Sequence, residues 1–297
     1  MTEHVVEISE SAARLRVELD RLLIERAEHG AVAIPLGEIA ALVLTSPQTV
    51  LTQPVLAGLA SHGAIVVACD TRRQPVCMLL PLDAHSTQSA RMRAQASVSA
   101  EVKARVWKQI VQAKVNAQAR ILEEARGSDA GLSMLARRVT RGDPSNIESQ
   151  ASVRYWKALF AAGPFKRNRR AADANVLLNY GYAILRAATA RAICAAGLHP
   201  TLGLHHRNQY NAFCLADDLM EPYRPTVDAI VVRLVESEGP TELDGATRQA
   251  LVEAILGRHV ASGEARTLFD LLSIVASSLA MVLIGQRRLL DLRVPGT

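Results

Sequence analysis

The spacing of apolar residues changes character once along the chain. Between residues 4 and 82 the apolar positions fall in short, partly alternating runs at 4–8, 14–18, 22–25 and 31–35. Ser-Ala, Leu-Asp and His-Gly pairs separate these runs and act as turn signals. A continuous apolar run, Ile39–Leu44, ends at Ser46-Pro47, and two more strand-like stretches follow at 64–69 and 75–80. Only residues 52–61 in this part have helical spacing, closed by Gly63. From about residue 84 the period becomes helical. Residues 86–95 are polar and read as a linker or an irregular first turn. Apolar positions at Val102, Val106, Ile110, Val115, Ala119 and Leu122 then predict a long helix over 98–126, stopped at Gly127-Ser128. Further helices are predicted over 132–139, 146–160, 173–196, 226–235, 247–256 and 268–290, with Ser145 as the N-cap of the one over 146–160. The expected fold class is α+β. A small β-rich domain (residues 1–83) precedes a larger all-α domain (residues 84–297).

Composition agrees with a helix-rich chain. Of 297 residues, 49% are hydrophobic but only 4% aromatic, so Ala, Leu and Val carry the core. No apolar run reaches the ~18 residues of a membrane helix, and the acidic start MTEHVVEISES lacks a signal-peptide layout. Cys69, Cys77, Cys194 and Cys214 show no CxxC pairing and read as reduced thiols of a cytoplasmic protein. Net charge is +5, unevenly spread. Residues 137–224 hold 13 Lys/Arg against 6 Asp/Glu, and the other 209 residues carry a net charge of −2. A basic field of this kind suits a polyanion, although a solvated basic face gives the same count.

That basic segment contains the stretch richest in chemistry, TLGLHHRNQYNAFCLADDLMEPYRPTVD at residues 201–228. Phe213, Leu215, Leu219 and Met220 recur at helical spacing until Pro222 ends or kinks the helix. On that helix Asp218 and Glu221 share a face, as do Asp217 and Glu221. An imidazole from the preceding loop with one or two of these carboxylates builds a divalent-cation site. A His-rich turn followed by an amphipathic helix with a solvated acidic face accounts for the same spacing. Spacing alone leaves both open.

The same residues resemble a family signature. GLHHRNQYNAFCLADDLMEPYRPTVD is similar to the motif of the CRISPR-associated spacer integrase, a metal-dependent DNA endonuclease/integrase of CRISPR adaptation. Its HHRNQYN insert is most similar to members from type II systems. The order IPLGEIAALVL, a polar strand, then LAGLASHGAIVVACD resembles that family's β-rich dimerisation domain. IESQASVRYW resembles the segment carrying the family's first metal-binding glutamate, with Glu148 on the ligand position. It departs from the pattern at Ser149, where Gly is usual, and in the adjacency of Arg154 and Tyr155.

The resemblance implies Glu148, His206 and Glu221 as catalytic metal ligands, with Asp218 a further ligand or an orienting neighbour. His205 and Asp217 read as loop packing or solvent-facing groups. Two carboxylates and an imidazole suit Mg²⁺ or Mn²⁺. Lys166, Arg167, Arg169, Arg170 and Arg207, with Arg137 and Arg138, are candidates for DNA phosphate contacts. Asn179, Tyr180 and Tyr182 sit in a stretch resembling the family's helix beside the metal site. The implied reaction inserts short foreign DNA fragments into the repeat array through attack by a 3′-hydroxyl. The implied partners are double-stranded DNA, a second copy of the chain and a small ferredoxin-like CRISPR-associated protein, with an RNA-guided effector nuclease left open. Two rivals stay open from the residues alone. One is a divalent-metal DNA nuclease that uses water; the other is a non-catalytic DNA-binding scaffold.

Overall fold

The computed structural model describes residues 4–9, 12–26, 30–71, 75–81, 85–161, 165–168, 170–239 and 242–296. The chain divides into two compact units, Met1–Ser86 and Thr87–Thr297.

Among its described residues the first unit contains eight strands and one α-helix. Strands β1 (His4–Ile8), β5 (Ile39–Leu44), β7 (Ile65–Cys69) and β8 (Pro75–Leu79) form one sheet in the order β1-β5-β7-β8. The first three run parallel and β8 pairs antiparallel to β7. The inner strand β5 reads IAALVL because it is covered throughout, which produces a continuous apolar run instead of alternation. Strands β2 (Ala13–Glu18), β3 (Arg21–Arg26), β4 (Gly30–Pro35) and β6 (Val50–Leu51) form the second sheet, in the order β4-β3-β2-β6. Helix α1 (Gln53–Ser61) contributes Val55 and Leu59 to a core shared with Ile8, Leu15, Leu22, Leu42 and Val66. The expected β-rich unit with one inserted helix is present.

The second unit is built from α2 (Gln88–Ser97), α3 (Ala100–Arg126), α4 (Leu132–Arg138), α5 (Ile147–Leu159), α6 (Ala174–Ala195), α7 (Cys214–Met220), α8 (Arg224–Glu238), α9 (Gly245–Leu256) and α10 (Leu268–Leu283). Helix α3 is bounded by local chemistry. Ser99 accepts from the amide of Val102 at its start, and Gly127 takes the left-handed conformation at its end. Its buried stripe runs through Val106, Ile110, Val111, Val115 and Leu122.

Four features differ from the sequence reading. Residues 88–97 form α2, not a linker. This helix has little apolar periodicity and is anchored by polar contacts: the buried Gln95 donates to the carbonyls of His199 and Leu202 and accepts from the amide of His199. Helix α10 ends at Leu283, not at 290, because Gly285 turns left-handed and the amides of Gln286 and Arg287 fold back onto Met281. An antiparallel hairpin, β9 (Arg258–Ala261) and β10 (Glu264–Thr267), interrupts the otherwise helical unit. Its turn is made by Ser262 and Gly263, both at positive φ. Ser145 does not cap α5. That role falls to the buried Asp143, whose two carboxylate oxygens accept from the amides of Ile147 and Glu148 at 2.9 Å each. Among the described residues no helix is long and apolar enough to cross a membrane, and all four cysteines are unpaired.

Candidate metal centre

Three segments of the helical unit converge around α3. The loop between α6 and α7 carries His205 and His206. Helix α7 carries Asp217 and Asp218 and passes into a single 3-10 turn, Glu221–Tyr223, before α8. Pro222 and Pro225 have no amide to donate at this junction, and the α-helical ladder is interrupted there by the 3-10 turn. Helix α5 carries Glu148 in its first turn, beside the amides that Asp143 caps.

Asp218 organises the histidine loop. It is fully buried, and its Oδ2 accepts from the amides of Leu204 at 2.6 Å and His205 at 3.0 Å. Its Oδ1 accepts from the amide of His206 at 3.2 Å and faces the ring Nδ1 of His206 at 2.6 Å. With its four-fold acceptor capacity used, Asp218 orients His206 and does not project into the site. The Nδ1 contact places the ring proton on that nitrogen and turns the Nε2 lone pair outward, where no partner stands among the described residues. The hydrogen bond to Asp218 also holds the His206 pKa above its ordinary value. The loop can approach this closely because residue 203 is glycine. A Cβ there would sit 2.4 Å from the His206 carbonyl oxygen and 3.1 Å from Asp218 Oδ2.

Trp107 of α3 lies beneath both histidines. Its ring stacks flat on His205 at 4.2 Å between centroids and meets His206 edge-on at 6.0 Å. Asp217 is held by Arg186 Nε and Asn211 Nδ2, each at 2.7 Å, so it serves loop packing.

Two turns after Trp107 along α3, the buried side chain of Lys114 lies between the two remaining carboxylates. Its ammonium pairs with Glu148 Oε1 and with Glu221 Oε2, the latter at 2.6 Å. Burial lowers the Lys114 pKa, but Glu221 and Glu148 outweigh that and leave it above the usual lysine value. Burial likewise raises Glu221, while Arg224 and Lys114 outweigh it and leave its pKa below the usual range. Arg224 reaches Glu221 Oε1 at 3.2 Å. Among the described residues no three His, Cys, Asp or Glu side chains stand at metal-holding distance. Glu148 and Glu221 nevertheless meet at one cation, and His206 lies close enough to lower the Glu221 pKa further.

The residues present fit a divalent cation. Glu221 Oε2 is buried, has no aligned hydrogen bond and stands against the Lys114 charge. A hard-oxygen pair with one outward imidazole nitrogen is a donor set for Mg²⁺ or Mn²⁺.

Next to Glu148 lies a cavity of about 240 Å³ lined by Lys114, Trp156, Arg167, Tyr182, Arg224 and Asp228, among others. Beside it, Gly181 of α6 packs closely on α8, where a Cβ would lie 2.5 Å from Val227 Cγ1. That close crossing of α6 and α8 brings the Tyr182 hydroxyl to donate to Asp228. The Tyr182 ring has the guanidinium of Arg167 5.2 Å and that of Arg224 4.9 Å from its centroid. Burial raises the Asp228 pKa to about 7.

The basic candidates separate into two groups. Arg167 turns inward, donating to Asn175 and Asn179 at 2.7 Å each. Lys166, Arg170 and Arg207 are exposed, as are Arg137 and Arg138 at the end of α4. Arg169 lies outside the described residues. Tyr180 is wholly buried in the core. Sequence reasoning missed Lys114, Trp107, Asp143 and the Tyr182–Asp228 pair. The signal for Lys114 was present, as a cation four residues after Ile110 and one before Val115 within the apolar stripe of α3.

A strand-rich unit and a larger helical unit, with Glu148 and Glu221 on one lysine near an oriented histidine, describe the class of fold and site. Comparison with known proteins places the chain within that class. Residues 6–256 match the model of the family described as CRISPR associated protein Cas1. A CRISPR-associated endonuclease Cas1 of Neisseria meningitidis serogroup C is 36% identical over 250 residues, covering 83% of this chain and 81% of that protein. A second, from Pyrobaculum aerophilum, is 27% identical over 271 residues, covering 86% and 92%. The fold matches that of a Cas1 protein from Thermotoga maritima, with a TM-score of 0.79, 18% identity and 99% of each chain covered. It also matches a casposase bound to integration product, with a TM-score of 0.76, 19% identity and coverage of 97% and 92%. The chain belongs to the Cas1 family of CRISPR-associated endonucleases.

Proposed function

We propose that this chain is the divalent-cation-dependent integrase of CRISPR adaptation, joining the 3′-hydroxyl ends of short foreign DNA duplexes to the repeat array. The observation that carries this reading is the convergence of Glu148 and Glu221 on one cationic position, next to a histidine whose Nε2 is turned outward by Asp218. Glu148, Glu221 and His206 Nε2 would hold Mg²⁺ or Mn²⁺. When bound, that ion supplies activation of a hydroxyl nucleophile and offsets charge on the phosphate.

The chain's own residues do the rest. Asp218 fixes the tautomer of His206, and Trp107 limits the ring's tilt. Arg224 and Arg167, held against Tyr182, give the neighbouring cavity a positive wall that suits a backbone phosphate. Exposed Lys166, Arg170 and Arg207 supply sequence-independent phosphate attraction further out. The β-rich unit would mediate pairing of two copies, and a small ferredoxin-like CRISPR-associated protein would bridge such pairs. A solved Cas6-RT-Cas1–Cas2 complex contains a chain of similar fold, which supports an assembly of that kind.

The test supplies the protein and its small partner with Mn²⁺, a supercoiled repeat-array plasmid and a labelled duplex with free 3′-hydroxyl ends. Label joined to the plasmid by the native chain, and not by His206→Ala, is the expected result. Nicking without joining would point to a water-using nuclease, and neither activity from a folded protein would point to a scaffold.

A further inference from the structure

Lys114 is the least ordinary residue of the helical unit. A lysine side chain is rarely so fully buried, and this one stands among apolar neighbours on α3 with its ammonium between Glu148 and Glu221. We propose that Lys114 is a placeholder for the divalent cation. It positions the two carboxylates before the cation arrives and gives up the position when it binds. This rests on the metal reading of the site and adds a role for a residue outside the ligand set.

Three observations support it. The first is charge. Glu148, Glu221, Lys114 and Arg224 are in direct contact and their formal charges sum to zero. Without Lys114, the two converging carboxylates would repel each other, with Arg224 on Glu221 alone to offset their charge. A divalent ion added to the neutral group, with Lys114 still in place, leaves two uncompensated positive charges. Withdrawal of the ammonium removes one of them, and a phosphodiester of bound DNA would balance the other.

The second is alignment. Glu221 Oε2 meets the ammonium at 2.6 Å without hydrogen-bond geometry. That contact is chiefly one between charges, and a cation of higher charge can replace it at the same oxygen. The third is room. Lys114 lines the 240 Å³ cavity together with Gln118 and Asp228, so a flexible four-carbon stem has somewhere polar to place its head.

Removing the placeholder should therefore strengthen metal binding. Lys114→Met keeps the stem volume and drops the charge. By calorimetric titration in the absence of DNA, it should bind Mn²⁺ at least about tenfold more tightly than the native chain. Its thermal midpoint should be lower than native without metal and should gain more on adding Mn²⁺. A Lys114→Met protein that binds Mn²⁺ equally or more weakly overturns the proposal.

If that variant does not fold, the native protein still decides the matter. The rate at which acetic anhydride modifies Lys114, followed by peptide mass spectrometry, should rise several-fold when saturating Mn²⁺ frees the amine. Exposed Lys157 is the internal reference. An unchanged or reduced rate at Mn²⁺ concentrations that calorimetry shows to be saturating overturns the placeholder role alone. Absence of any Mn²⁺ binding by the folded native chain overturns the metal reading, and the proposal with it.

Discussion

Asp218 Oδ1 lies 2.6 Å from His206 Nδ1, and every other acceptor position of that carboxylate is taken by the amides of the loop His206 belongs to. The ring tautomer and the loop path are therefore set by one buried side chain. Asp218→Asn puts an NH₂ against at least one of these donors. The amide orientation that keeps the contacts to Leu204 and His205 faces its NH₂ to Nδ1, forcing the ring proton onto Nε2. Affinity for Mn²⁺ should fall by about 10- to 100-fold while the circular dichroism spectrum is retained. Native-like Mn²⁺ affinity in Asp218→Asn would remove Asp218 from this role.

Gly203 makes that arrangement possible by having no side chain. The nearest atoms to an added Cβ are the His206 carbonyl oxygen at 2.4 Å and Cys214 Cβ at 2.9 Å, neither of which is the tip of a flexible chain. Gly203→Ala must shift the loop, at a cost of about 1–3 kcal/mol by analogy with overpacked sites. The thermal midpoint and Mn²⁺ affinity should fall together, because the displaced atoms belong to the residue that presents Nε2. A variant with both properties at native levels would mean the loop relaxes freely.

These relationships show how far the sequence carried. The period change near residue 84, the inner strand Ile39–Leu44 and the long helix α3 were legible because burial writes itself as apolar spacing. Glu148, His206 and Glu221 were singled out through resemblance. Their spacing alone left a solvated acidic face open. What escaped were polar contacts between residues distant in sequence. Helix α2 is held by Gln95 on the backbone of His199 and Leu202, which no periodicity records. Asp143 reaches past the serine that local rules favour as a cap. Lys114 was passed over as one more charge between apolar positions, although its place within the α3 stripe marked it as buried.

The basic segment divides in a way its charge count does not show. Arg167 is bonded to Asn175 and Asn179 and lies over Tyr182, whereas Lys166 and Arg170 face solvent. Lys166→Ala/Arg170→Ala should leave the thermal midpoint unchanged and reduce the slope of log Kobs against log salt by about two for duplex DNA. Arg167→Ala should lower the midpoint, since it removes two hydrogen bonds and a ring contact from the interior. The opposite assignment, a stable Arg167→Ala and a destabilised double variant, would contradict the two environments.

Asp228 links the cavity to pH. Burial raises its pKa to about 7 from the usual 3.8, although the Tyr182 hydroxyl bond favours the ionised form. The folded state therefore binds this proton more tightly than the unfolded chain. Its contribution to stability is complete below about pH 4 and is lost as pH rises through about 7. Between roughly pH 5 and 7 the loss is on the order of 3 kcal/mol, taking 1.36 kcal/mol per pH unit. Asp228→Asn cannot ionise and keeps an acceptor for Tyr182, so its stability should lack this component. The thermal midpoint of the variant minus that of the native chain should become more positive as metal-free buffer is taken from roughly pH 5 to pH 8. A difference that stays flat across that window would mean that Asp228 is already ionised in the folded protein at acid pH. Arg224 and Lys114, the cations that favour its ionised form, would then outweigh its burial.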